Sequence, residues 1–151
     1  MPFTPPETAL NSGRLTHFAR RRDSCYLPAM KFSLADADGG YTIHAYTDEH
    51  IVIGERRYDR SLILQPERII DDWPVSSVEQ LQAEDFRRLA QLEPNLVLLG
   101  CGIRQHFPAP RLYRSLTDAG IGIEIMTTAA ACRTYNILVS EGRAVVAALI
   151  L

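Results

Sequence analysis

The chain changes hydrophobic period near its middle. In the first half, short apolar stretches alternate with polar positions at a period of 2. Residues 31–35 alternate, Asp38-Gly39-Gly40 supplies turn chemistry, and 41–46 alternates again, which is a hairpin signal. Residues 50–53 run into Gly54-Glu55, a second tight-turn signal. Residues 61–64 and 68–70 then flank Gln65-Pro66, where proline lacks the N–H that a ladder needs. In the second half, Phe86, Leu89, Ala90 and Glu93 follow the i, i+3, i+4, i+7 spacing of a helix, predicted over 83–92 and stopped by Pro94. Leu96-Val97-Leu98-Leu99 is unbroken apolar sequence, the pattern of a strand buried on both faces. Leu112, Leu116 and Ala119 form a helical stripe ending at Gly120, and 121–126 is a further apolar strand. Thr127 or Thr128 caps a helix reaching to 141, with its stripe at Ala131, Thr134, Tyr135 and Leu138, and 144–151 is a final apolar strand. Helices alternating with strands require crossover connections, so 96–99 and 121–126 should pair in parallel. The class read from this pattern is an α/β sandwich with an N-terminal β unit at its front. Leu96, Val97, Leu98, Leu99, Ile121, Ile123, Ile125, Val145, Val146 and Leu149 are expected in one sheet, mostly buried.

Composition narrows the class of protein. At 151 residues, with 46% hydrophobic and 23% charged residues, one domain with an ordinary core is expected, over residues 30–151. No apolar run approaches the ~18 residues that a membrane span needs. A formal charge of −2 argues against a dedicated nucleic-acid binder. The three cysteines, Cys25, Cys101 and Cys132, form neither a CxxC pair nor a disulfide framework, which fits a reducing, cytoplasmic compartment. Residues 1–29 hold four of the nine prolines and lack periodicity. They carry four arginines against Glu7 and Asp23, or +2, so the remainder carries −4. They are expected to be a disordered tail, with Met30 as an alternative start and a transit peptide as an alternative role. Lys31 is the only lysine against fifteen arginines, a bias that codon usage explains as well as function does.

In an open α/β sheet, ligands bind beyond the carboxyl ends of the strands. Two such ends are readable: Gly100-Cys101-Gly102-Ile103-Arg104, and Thr127-Thr128 at the start of a helix. Glycine at 100 and 102 permits close backbone approach, and Arg104 with free helix N–H groups would favour an anion. The competing reading is a tight turn needing small residues, and the dinucleotide pattern GxGxxG is absent. Cys101 beside Arg104 could serve as a nucleophile, but His106 five residues on matches no established nucleophile–base spacing. His17, His44, His50 and His106 form no HxH or HExxH pattern, so neither a metal nor a cofactor is expected. Asp71-Asp72 could hold a hard cation or simply end a strand in solvent. Trp73 could serve the core or an interface.

Several segments carry a resemblance. They are Ser61-Leu62-Ile63-Leu64-Gln65-Pro66, Ile70-Asp71-Asp72-Trp73-Pro74-Val75, Leu98-Leu99-Gly100-Cys101-Gly102-Ile103-Arg104, and the stretch from Gly122 through Arg143 containing Cys132-Arg133-Thr134-Tyr135-Asn136. Together they resemble the domain family shared by mitochondrial complex I assembly factor 3, the adipogenesis-associated domain protein and uncharacterised bacterial and archaeal proteins. The resemblance implies a three-layer α/β domain with a mixed central sheet whose last strand runs antiparallel to the others. It implies a protein-interaction or assembly-factor-like role, with another protein as partner, rather than an established activity. The family loop is similar to Gly-Thr-Gly, whereas this chain carries Cys101 between its glycines, so the resemblance does not require a thiol there. The rival expectation is a small-molecule or anion site, enzymatic or not, formed by Gly100, Cys101, Gly102, Arg104, Thr127 and Thr128.

Overall fold

The computed structural model of the protein describes residues 40–151. The tail expected at 1–29, the alternative start at Met30 and the strand expected at 31–35 lie outside the described residues. The described residues form two sheets. Strands β1 (Ile43–Tyr46), β2 (Ile51–Ile53) and β3 (Arg56–Tyr58) form an antiparallel meander, the N-terminal β unit. Strands β4 (Leu62–Gln65), β5 (Arg68–Ile70), β6 (Leu96–Gly100), β7 (Gly122–Met126) and β8 (Val145–Leu149) form a five-stranded sheet in the order β5-β4-β8-β6-β7. The helices of the described residues are α1 (Ala83–Ala90), α2 (Arg114–Asp118) and α3 (Thr128–Ser140), with single 3₁₀ turns at Val78–Gln80 and Pro110–Tyr113.

The five-stranded sheet is the middle of three layers, because alternate residues of its central strands enter opposite cores. Leu98, Val145, Ala147 and Leu149 pack with Ala131, Cys132 and Tyr135 of α3 and with Ile43, Ile51 and Ile53 of the small sheet. Val97, Leu99, Val146 and Ala148 pack with Phe86 and Leu89 of α1, Leu116 of α2, and Trp73. This two-faced burial explains the unbroken apolar runs of β6 and β8. β7 departs from the expected burial. Leu96, Ile121, Ile123 and Ile125 are only half-buried, because β7 closes one end of the sheet and lacks a neighbour on its outer side among the described residues.

The sheet is mixed, but its odd strand is not the last one. β8 runs parallel to β6, which runs parallel to β7, and β8 is antiparallel only to β4. The α3 crossover is the cause: a helix laid across the sheet returns the chain in its original direction. The reversed member is β4, joined to β5 by the hairpin at Pro66-Glu67.

Asn136 on α3 anchors the small sheet. Its Oδ1 accepts the Ile43 N–H at 2.9 Å and its Nδ2 donates to the Ile43 carbonyl at 2.7 Å, as a neighbouring strand would. Tyr135 donates its hydroxyl to the Tyr41 carbonyl at 3.0 Å, and Arg133 reaches the Tyr46 hydroxyl at 2.8 Å. On the opposite face, Asp85 does two jobs. It accepts the Gln82 N–H at the start of α1 and the Trp73 indole N–H at 3.1 Å, so Trp73 is a core residue with its one polar atom satisfied.

Candidate functional site

Consecutive connections after β6 and β7 leave the sheet on opposite faces, toward α2 and then toward α3. Their first residues therefore diverge and open a crevice at the carboxyl edge, the place where open α/β sheets hold ligands. The crevice is a cleft of about 370 Å³. Of the residues expected there, Cys101, Gly102, Arg104, Thr127 and Thr128 all line it. Gly100 lies behind the wall. A Cβ at that position would stand 2.9 Å from Thr128 Cα and 3.1 Å from Leu149 Cδ2, so glycine is what lets α3 start against β6.

Backbone and side-chain bonds fix both walls. Thr128 N–H donates to the Gly102 carbonyl at 2.9 Å, and its Oγ1 accepts the Gly102 N–H at 2.8 Å while donating to the Ile150 carbonyl at 2.6 Å. Gly102 takes φ +96°, a conformation that suits glycine, to make this double contact. Thr127 is the N-cap and accepts the Ala130 N–H at 3.3 Å. The helix start therefore spends its donors internally, apart from the Ala129 N–H.

The Cys101 sulfur is a structural hub. It accepts the His106 N–H at 3.2 Å and lies 2.9 Å from the Met126 carbonyl and 3.3 Å from the Arg104 carbonyl, its one proton serving one of them at a time. The residue is buried. The His106 ring is engaged elsewhere, with Nδ1 3.1 Å from Glu79 Oε1. These contacts hold the 101–107 loop in a fixed curve, and Gln105 ties it further by donating to the Ile125 carbonyl at 2.9 Å. The loop nevertheless leaves Ile103 70% exposed and Phe107 64% exposed.

The opposite wall was not legible in the sequence. Thr47 and Asp48 come from the β1–β2 turn, Ser76 and Ser77 from the segment after Trp73, and Glu79 from the 3₁₀ turn that follows it. Glu79 is held below the usual carboxylate range, chiefly by a backbone hydrogen bond, then by the Ser77 hydroxyl, with nearby His106 adding to both. The lining of the cleft is thus mixed: Arg104 shares it with the carboxylates Asp48 and Glu79 and with the His106 ring. Arg104 has no carboxylate within ion-pair distance among the described residues. Asp71 and Asp72 are exposed, and Asp72 lies 3.6 Å from Arg88, in keeping with a solvent-facing strand end. Among the described residues, no three His, Cys, Asp or Glu side chains converge as metal ligands, and no helix is long and apolar enough to cross a membrane.

Comparison with known proteins adds kinship. Residues 43–150 match the model of a family described as protein of unknown function (DUF498/DUF598). NADH dehydrogenase [ubiquinone] 1 alpha subcomplex assembly factor 3 of Bos taurus is 33% identical over 110 residues, which is 72% of this chain and 59% of that protein. The chain therefore spans less than two thirds of that curated relative. A crystal structure of a Bordetella parapertussis protein matches with a TM-score of 0.69 and 40% identity, covering 73% of this chain and 94% of that one. The NMR structure of a Xanthomonas campestris protein matches with a TM-score of 0.67 and 42% identity, covering 73% and 83% respectively. The resemblance read from residues 61–66, 70–75 and 98–104 holds.

Proposed function

From the premise that this chain belongs to the family of proteins of unknown function (DUF498/DUF598), we propose that it is a non-catalytic, assembly-factor-like protein that holds a client polypeptide. The contact is made on the 101–107 loop and in the cleft beside it. One observation carries the reading. A loop pinned at Gly102, Cys101 and Gln105 keeps two large apolar side chains, Ile103 and Phe107, out in water. Two large apolar side chains held out by one fixed loop offer a ready contact for another apolar surface. The assembly-factor relative supports the same role. The engagement of Cys101 by three backbone groups supports a non-catalytic role for its sulfur. A reducing, cytoplasmic setting belongs to this reading, since Cys101 and Cys132 are both free and buried thiols.

The test is photocrosslinking in native cells, with a benzophenone amino acid placed at Phe107 and, as control, at Glu141. Glu141 sits at the far end of α3, roughly 20 Å along the helix from its start at the cleft at 1.5 Å per residue. The expected result is one discrete adduct, identified by mass spectrometry, from position 107 only. Equal or absent adducts at the two positions would reject the proposal.

A second reading is favoured by Arg104, which has no carboxylate partner among the described residues, in a cleft of ligand size: binding of a small anion. Titration with inorganic phosphate discriminates. On this reading the wild type binds, and Arg104→Ala weakens binding by about 1–3 kcal/mol. Asp48 and Glu79 on the facing wall oppose it.

A further inference from the structure

We propose that the outer edge of β7 is a strand-addition site for an extended segment of a partner protein, with a lysine or arginine flanked by apolar residues. The proposal rests on the interaction reading above and names the conformation and charge of the segment recognised.

Among the described residues β7 ends the five-stranded sheet, and it pairs in parallel with β6 from Leu96↔Gly122 to Gly100↔Met126. Gly122 N–H donates to Asn95, and the Met126 carbonyl accepts from Cys101, so residues 122, 124 and 126 direct their backbone groups inward. By the alternation of a strand, residues 123 and 125 direct theirs outward. Gln105 independently marks that direction, since its amide donates to the Ile125 carbonyl from outside the sheet. The Ile123 N–H and carbonyl and the Ile125 N–H then line one edge, spaced as only an extended chain can satisfy.

The side chains specify that chain further. Ile123 and Ile125 are half-buried on the α1/α2 face, so a neighbouring strand with apolar residues there would complete their cover. Glu124 faces the other way, is exposed, and is the only charged residue of the strand. A second copy of this protein fits badly. The antiparallel register that pairs all five residues sets Glu124 opposite Glu124, at the ~4.5 Å spacing of a non-hydrogen-bonded pair, where like charges repel. A cation opposite Glu124 reverses the sign. The edge is continuous with the loop that carries Ile103 and Phe107, because Gln105 lies between them in sequence and touches both loop and strand.

The test is an amide-shift titration of the full ¹⁵N-labelled chain with acetyl-Ser-Val-Lys-Val-Ser-amide. Two controls accompany it: the same peptide with glutamate for lysine, and one with proline for both valines. The lysine peptide should shift the Ile123 and Ile125 amides and bind about threefold to fivefold tighter than the glutamate peptide. Glu124→Lys, an exposed substitution, should invert that preference, and the proline peptide should not bind, having lost its N–H donors. An order of preference unmoved by Glu124→Lys, or no shift at residues 123 and 125, overturns the proposal. Shifts confined to Gly102, Thr127 and Thr128 overturn it while leaving the interaction reading standing, which fails only on the crosslinking at Phe107.

Discussion

Thr128 Oγ1 binds the Gly102 N–H and the Ile150 carbonyl at once, tying the loop after β6, the start of α3 and the end of β8 together. Thr128→Val keeps the shape and removes both bonds, leaving two poorly hydrated backbone groups unsatisfied. The expected loss is about 1–3 kcal/mol, read as a lowered urea midpoint at constant slope, and Thr128→Ser should recover most of it. Gly100→Ala puts a methyl group against Thr128 and Leu149 and should cost a comparable ~1–3 kcal/mol through overpacking. Cys101→Thr, by contrast, keeps a donor and an acceptor at the hub and should change stability by less than about 1 kcal/mol. Cys132 gives a pH-dependent prediction. Burial pushes its thiol up to about 12 from 9.0. The unfolded thiol ionises first, so its contribution is fully present below pH 9 and is lost as pH rises toward 12. Chemical denaturation at pH 8 and pH 10 should show stability falling, and Cys132→Ala should flatten that dependence.

At the scale of elements, β6 is the deepest test of the layer assignment. Leu98 is fully buried between β8 and β7 and faces α3, so Leu98→Ala should cost about 2–5 kcal/mol in denaturant unfolding. A loss well under 1 kcal/mol would mean that this face is not packed as described. The strand was legible because burial on both faces leaves an unbroken apolar run. The stripes at Phe86 and Leu89 and at Ala131, Tyr135 and Leu138 were legible for the corresponding reason. β3 was not, because Arg56-Arg57-Tyr58 is an edge strand with two exposed arginines and no alternation to read. The turn at Gly54-Glu55 was its only trace, since a hairpin turn demands a second strand. The direction of β8 was lost for another reason: it is set by the α3 crossover, a property of connectivity that apolar sequence alone does not carry. In the cleft, the near wall followed from the strand-end rule. Thr47, Asp48, Ser76, Ser77 and Glu79 arrive from segments more than twenty residues away from Cys101, with no local motif to announce them.

At the scale of the whole molecule, three layers and two cores stand behind the carboxyl edge. Asn136 braces the small sheet on α3 by giving β1 the two bonds a neighbouring strand would. Asn136→Ala should destabilise the protein by about 1–3 kcal/mol and raise hydrogen exchange in residues 43–46, without altering the cleft's own bonds. Ile103 and Phe107 contribute the reverse: they are exposed, so they add little to the fold, and on the proposed function they meet the client. The central claim is therefore tested most directly by isothermal titration of the crosslinked client, once purified, against wild type and the double variant Ile103→Asp, Phe107→Asp. The account predicts an unchanged melting temperature and an affinity weakened about tenfold or more. Undiminished affinity in the folded double variant would contradict it.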